Sequence, residues 1–418
     1  MLDNMLTVLQ ITLPATITAT AASSMFTGYT GVFEVCSSVV AAATSLANPF
    51  IMRRFTYRTQ IYVCTAMTML LYPVCTLPKP LGKGMAESEA GPAIGAMLGG
   101  FVHAFGYSAF SALAVFFPAE ANLALSAGSG LAVIVGPALL IGFLAIFGQE
   151  WHRSLLVFIS TGPLIFLVWR FLMDQSCIRT AEESRIASRK AATTDSNDIE
   201  SAAYAKSLDG EDATARQSDT PPSRWRLFCR TILPKNLLAF ILLSVAANVA
   251  TMGCTPVLQN LSRFKAAPKG NLQFEIICES HFTTHLLNCQ LTCTVLISGV
   301  GNFVFSTVAA IWPKRNVWCW TALQMFLCVI GVIQLFVPFL TYYTVWVLVM
   351  FVIGGCCGVA RTNCTYGLQE DFKNRDDATR AFAQSHLGTG NFVGDAVGGG
   401  FAVMVERLAI RYLKPTIR

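Results

Sequence analysis

Ionisable and amide side chains stand inside long apolar runs of this sequence, and they are the residues with chemistry to offer. Asp3 and Asn4 lie in the first run, Glu34 opens the second, and His103 and Tyr107 sit in the fourth. Gln324 and Gln334 follow in the ninth, Arg361, Thr362, Asn363 and Thr365 in the tenth, and Asn391 and Asp395 in the eleventh. A charge at the centre of a bilayer costs roughly 2.5–3.5 kcal/mol on insertion scales, so a polar group retained there faces a cavity or a partner. Arg361 is too deep to snorkel easily to the edge. Its guanidinium suits a carboxylate or phosphate ligand, or an internal partner such as Asp395 or Glu34. A helix-packing ion pair would use the same residue. Asp395, set among glycines, is a proton-coupling candidate. His103 is a second, and a satisfied interior histidine is its plainer reading. Glu34 either lines a solute path or sits solvated at the membrane boundary. The expected substrate-binding set is Asn4, Glu34, Tyr107, Arg361, Asn363 and Asn391.

The elements that must position these residues follow from composition. The 418 residues are 54% hydrophobic and only 13% charged, with mean hydropathy +0.53. A soluble domain carries about 25% charged residues, so this much apolar surface must face lipid. Apolar windows of roughly 20 residues, the thickness of a bilayer core, occur at 4–25, 31–52, 59–78, 93–117, 126–147 and 155–173, then at 236–257, 291–312, 317–339, 344–366 and 383–405. The expectation is an all-α polytopic membrane protein of about eleven transmembrane helices. The segment 174–234 mixes Ser, Thr, Ala and charged residues, ends in Pro221-Pro222 and has no apolar period. It reads as a disordered cytosolic linker between an N-terminal half, 1–173, and a C-terminal half, 235–405.

Arg53, Arg54, Arg58, Lys314, Arg315, Lys373, Arg375 and Arg380 fall in short loops on the linker's side, which should be cytosolic; Lys79 and Lys83 dilute the contrast. The basic tail 406–418 conflicts with this count, because eleven spans place it opposite. Either it is a luminal exception or the last Gly-rich segment does not span simply. The loop of about 258–290 is long for a bundle and should face the lumen. It holds the glycosylation candidate Asn260 and a possible Cys278–Cys289 disulfide. Most other cysteines sit in apolar runs, among them Cys36, Cys64, Cys319, Cys328 and Cys356, and read as small hydrophobes. His281 and His285 beside Glu279 lack a third ligand, so no metal is expected, and no cofactor either. The net charge of +6 is small and spread over loops, which points away from nucleic acid. No nucleophile–base constellation appears, so no enzyme is expected. The start, Met1-Leu2-Asp3-Asn4, lacks the basic n-region of a cleavable signal peptide.

Two stretches about 255 residues apart read alike, and Gly recurrence in packed helices is the bland alternative. Gly99-Gly100 precedes Gly128-Ser129-Gly130 and Gly136; Gly354-Gly355 precedes Gly388-Thr389-Gly390 and Gly394. Parallel repeats of this kind are a major-facilitator arrangement. Against six helices per half, a twelfth is missing and the first begins almost at residue 1. A shifted or truncated start is the expectation this raises.

Three stretches resemble the battenin family of lysosomal membrane proteins. One is Gly354-Gly355 through Arg361-Thr362-Asn363, with the polar loop and Arg380-Ala381-Phe382-Ala383 after it. Another is Phe116-Phe117-Pro118 with Ser126-Ala127-Gly128-Ser129-Gly130. The third is Leu2-Asp3-Asn4. The chain departs from the family where Tyr107 replaces an acidic residue and Arg361 an Asn. It also shows no dileucine signal in 174–234 and no C-terminal prenylation-like cysteine, and 258–290 looks like an insertion. The resemblance implies a lysosomal or vacuolar multi-pass protein linked to efflux of small polar solutes, with glycerophosphodiesters or basic amino acids proposed, and to luminal pH balance. Membrane lipid, protons and trafficking partners of the linker are the other implied partners. Arg361 tilts the solute towards an anion. An equilibrative nucleoside-type transporter and a non-transporting scaffold in vesicle trafficking are the alternatives.

Overall fold

The computed structural model describes residues 2–25, 30–76, 90–147, 150–187, 224–260, 283–340 and 342–413. Among them the chain is helical, with no strand. In the first half come α1 (Leu2–Met25), α2 (Thr30–Ile51), α3 (Tyr57–Thr76), α4 (Ala90–Leu113), α5 (Ala119–Ile146) and α6 (Trp151–Leu172). A short α7 covers 175–187. The second half holds α8 (Arg224–Leu258), α9 (Thr283–Ile311), α10 (Trp318–Phe336), α11 (Tyr343–Phe372), α12 (Asp377–Ser385) and α13 (Leu387–Leu413).

Eight helices among the described residues are long and apolar enough to cross a membrane: α2, α4, α5, α6, α8, α9, α10 and α11. The long helices α1, α3 and α13 pack against members of this set: α1 on α5, α3 on α4, and α13 on α8 and α2. α10 exposes Met325, Phe326, Val329 and Ile333, and α6 exposes Leu164, Leu167 and Phe171. These apolar stripes have no protein partner in the bundle and so face lipid.

The two halves are built alike. In the first, Gly100 of α4 lies so close under the Ser37 carbonyl of α2 that a Cβ would overlap it. In the second, Gly354 of α11 has the same relation to the Ser298 carbonyl of α9. Likewise Gly136 of α5 packs on Thr16 of α1, and Gly390, Gly394 and Gly398 of α13 pack on Phe240, Ser244 and Asn248 of α8. The predicted glycine repeat is therefore a repeat of helix contacts. The halves meet along two crossings. At one, Gly130 of α5 abuts the backbone of Phe303 in α9, and Gly299 of α9 abuts Val133. At the other, α13 packs on α2, and Thr389 donates to the Ser45 carbonyl at 3.3 Å.

At the end bearing the basic loops, Phe50 of α2 inserts among aromatic rings of the second half. Its centroid lies 5.4 Å from Phe382, 5.7 Å from His386 and 6.0 Å from Trp225. The Arg224 guanidinium sits 5.1 Å over the Phe382 ring.

Several expectations change. The segment 174–234 is not disordered at its ends. Asp174 Oδ1 accepts the Ser176 N–H at 2.8 Å and starts α7. That helix buries Ile178 and Ala181, and lays Arg185 4.5 Å over the Tyr57 ring. Residues 224–234 are the first turns of α8; the span 188–223 lies outside the described residues. Helix takes in both ends of the loop expected at 258–290, continuing from α8 to Asn260 and starting again at Thr283; residues 261–282 lie outside the described residues. The basic tail expected from 406 is helical to Leu413, with Glu406 buried. The helix expected over 383–405 is two helices. Asp376 accepts the Thr379 N–H at 3.0 Å, which caps a separate α12.

Candidate functional site

Arg361 lies near the middle of α11, on the face turned to the other half. Gly358, one turn earlier, lets α11 press against the backbone of Asn302 in α9. The Arg361 side chain reaches across the crossing, where Nη1 donates to Ser129 Oγ of α5 and Nη2 donates to Asn391 Oδ1 of α13 at 3.4 Å. The residue is 9% exposed. None of the ion pairs formed by the described residues includes it.

The polar chain continues beyond Asn391. Asn391 and Asp395 are four residues apart on α13 and so share a face. Asn391 Nδ2 donates to Asp395 Oδ2 at 2.5 Å, and Asn248 Nδ2 of α8 donates to Asp395 Oδ1 at 2.8 Å. Glu34 of α2 reaches the same face of α13, its Cγ packing against Gly399, one turn beyond Asp395. Five helices therefore contribute to one polar line, in which Ser129, Arg361 and Asn248 are buried and Asn391, Asp395 and Glu34 are half-buried. Ser129 and Glu34 come from the first half and the other four from the second. One guanidinium and two carboxyls give the line a charge of −1 when all are ionised and zero when one carboxyl holds a proton.

An aromatic wall stands beside the guanidinium. The Phe392 centroid is 4.8 Å from His103, edge to face, and 6.3 Å from Tyr107. Both His103 and Tyr107 lie in the field of Arg361. The Tyr107 hydroxyl is buried with no protein partner, as are the hydroxyls of Ser108, Ser111 and Ser126. Gly388 gives α13 room to pass the Tyr107 ring.

Of the predicted site residues, Glu34, His103, Tyr107, Arg361, Asn391 and Asp395 thus converge. The internal carboxylate partner expected for Arg361 is not in direct contact; Asn391 stands between it and Asp395. Asn363 does not belong to this site. Its Oδ1 accepts the Lys314 N–H at 3.1 Å, tying α11 to the turn before α10. Asn4 lies on α1, with its side chain outside the described residues, and so do the side chains of Asn260, Cys278 and Cys289. Gln334 caps the end of its own helix, accepting the Leu340 N–H at 2.8 Å. Sequence reasoning missed Ser129 and Asn248. Asn248 carried a usable signal, an amide in the apolar run 236–257, whereas Ser129 was hidden in a Gly-Ser-Gly packing motif.

The comparisons with known proteins agree with this architecture. The family model described as "CLN3 protein", the battenin family, matches residues 17–411. A search of curated protein sequences finds no match. Among solved structures, the fold is similar to the major-facilitator proton:xylose symporter XylE bound to 6-bromo-6-deoxy-D-glucose. That match has a TM-score of 0.58 and 14% identity, over 100% of this chain and 95% of that one. A partially occluded, inward-open xylose transporter XylE from E. coli matches with a TM-score of 0.55 and 10% identity, over 100% and 97% of the two chains. At such identities the likeness concerns the fold.

Proposed function

The chain belongs to the CLN3 protein family, and from that premise we propose that it exports a small anionic solute from a lysosome or vacuole, using Arg361 as the binding cation. Family and fold make it a membrane transporter-like protein. The solute class is our reading, and one observation carries it. Arg361 is buried between the halves, and its hydrogen-bond partners, Ser129 and Asn391, are neutral. A buried guanidinium without a paired carboxylate retains the charge to bind a phosphate or carboxylate of a ligand. A glycerophosphodiester meets that demand with its phosphate. A basic amino acid would bring a second cation to the same place.

The mechanism is alternating access. The halves rock about the α5–α9 and α13–α2 crossings, and the site lies between those crossings. The carboxyls of Asp395 and Glu34 hold the proton. With one carboxyl protonated, the line is electrically neutral before the anion arrives. With both ionised, it repels the anion. An acidic lumen therefore loads the site and a neutral cytosol empties it, which gives the organelle's solute and pH balance a common element. His103, set edge-on to Phe392, contributes to the wall of the site.

The test is untargeted metabolomics on lysosome-like organelles from cells lacking the protein. We expect glycerophosphodiesters or related anions to accumulate, wild-type protein to clear them and Arg361→Ala to leave them. Clearance by Arg361→Ala equal to wild type would overturn the assignment.

A further inference from the structure

A second charged site lies away from the central line, at the end of the bundle bearing the basic loops. There α8, the turn before α10 and α11 enclose a cavity of about 100 Å³, lined among others by Lys235, Asn236, Arg315, Trp318 and Asp371. Asp371 Oδ1 accepts from Lys235 Nζ at 2.9 Å and lies 3.7 Å from Arg315 Nη1, while Oδ2 accepts from Asn236 Nδ2 at 3.1 Å. The Asp371 side chain is 9% exposed, whereas Lys235 and Arg315 are 60% and 57% exposed. A buried carboxylate thus forms the floor and two solvent-facing cations form the rim. One negative charge serves two positive ones, so the cavity keeps a net charge of +1.

The backbone is shaped for this arrangement. Pro234 has no N–H and its ring crowds the preceding turn, which disfavours a regular α-helical turn there. The chain instead makes wide π-helical turns over Phe228–Leu237, which bring both Lys235 and Asn236 onto Asp371. Such turns recur at functional sites. Lys235 and Arg315 tie α8 and the turn before α10 to Asp371, and both keep more than half of their side chains in solvent beside the open space. Trp318 lines the cavity and is half exposed, and Trp312 is exposed just before it. Tryptophans gather where headgroups meet acyl chains. Basic pockets between helices at that level hold anionic headgroups.

We propose that this cavity is a binding site for a phosphate group, held between Lys235 and Arg315 and carried by an anionic phospholipid whose glycerol lies against Trp318. The lysine gives a point charge and the arginine a planar fork, and together they match a tetrahedral anion. The Asp371 carboxylate competes with the phosphate for both cations. It therefore sets the affinity of the site, and its removal tightens binding.

The full-length protein, reconstituted in nanodiscs of phosphatidylcholine with phosphatidylserine or a phosphatidylinositol phosphate, tests this by native mass spectrometry of retained lipid. Inorganic phosphate in a thermal-shift assay forms a second arm. We expect the anionic lipid to be retained over phosphatidylcholine by about fivefold or more, as two interfacial cations allow. Asp371→Asn should raise that preference, and Arg361→Ala should leave it unchanged. The triple variant Lys235→Gln, Arg315→Gln, Asp371→Asn removes the cations without stranding a buried carboxylate, and should lose the preference while staying folded. Stabilisation by inorganic phosphate without lipid preference would keep the phosphate site and assign it to a free anion. Neither ligand binding, or a preference that Asp371→Asn leaves unchanged or weakens, would overturn the proposal.

Discussion

Phe50 of α2 and Phe382 of α12 meet edge to face with centroids 5.4 Å apart, and this contact joins the two halves at the basic end of the bundle. His386, Trp225 and the Arg224 guanidinium complete the cluster. Edge-to-face pairs contribute about 0.5–1.5 kcal/mol beyond their burial. Opening towards the basic end must break this cluster. Phe50→Ala should shift the protein towards the open form. Spin labels at the exposed Thr56 and Arg375 should then show a longer, broader distance distribution by pulsed electron resonance. A distribution identical to wild type would mean that the contact does not hold this end shut.

Ser129 and Asn391 each hold one Nη of the Arg361 guanidinium. A hydrogen bond to a charged group contributes about 1.5–3 kcal/mol, or roughly tenfold or more in binding. Ser129→Ala should therefore weaken solute binding about tenfold without displacing α11. Arg361→Lys should not restore what Arg361→Ala loses, since an ammonium cannot span both partners. Binding measured by scintillation proximity on purified protein separates these variants; rescue by lysine would point to a requirement for charge alone.

Asp395 and Glu34 share the proton in our proposal, so their amides should behave as permanently neutral carboxyls. Asp395→Asn should bind solute as well at neutral as at acidic pH, and should catalyse exchange in vesicles. It should fail to concentrate solute against a gradient when the pH difference is the only driving force. Glu34→Gln should be affected in the same direction. Proton-driven accumulation at the wild-type level in both variants would remove the carboxyls from coupling.

The glycine contacts within each half make a stability prediction. Gly100→Ala and Gly354→Ala place a Cβ onto a backbone carbonyl that cannot move aside, so both should lose most folded protein. At Gly142 and Gly400 the position a Cβ would take has no neighbour within 4 Å, and alanine there should be tolerated. Fluorescence-detected size exclusion with a melting curve distinguishes the two classes. Equal yields from all four would show that these helix approaches are soft.

How much of this was legible follows from the kind of force involved. The long apolar helices were readable because lipid imposes length and hydropathy on each one separately. The repeat was readable because close helix approach admits only the smallest residues, and so leaves Gly100 and Gly354 visible along the chain. Glu34, Asp395 and Arg361 were readable because charge in hydrocarbon is costly wherever it occurs. Ser129 was not, since a serine in a transmembrane helix can satisfy itself on its own backbone and so announces nothing. α7 was missed because its apolar stripe is only Ile178 and Ala181, too narrow against the charges around it. It docks through single polar contacts, Arg185 over the Tyr57 ring and on the Met52 carbonyl and Glu182 accepting the Arg58 N–H, which leave no periodic mark.

The paired glycine contacts have a mechanical consequence. Gly100 under Ser37 and Gly354 under Ser298 weld neighbouring helices at main-chain distance, with no pliable side chain between them. Each half is thereby a stiff plate, unable to flex much along its own length. The α5–α9 seam has the same main-chain contact at Gly130 and Gly299, whereas at the α13–α2 seam Gly399 meets the side chains of Glu34, Val35 and Ser38, which leaves that seam the freer to move. A force applied at the Phe50 cluster is thus carried along α2, the helix that also bears Glu34 of the polar line.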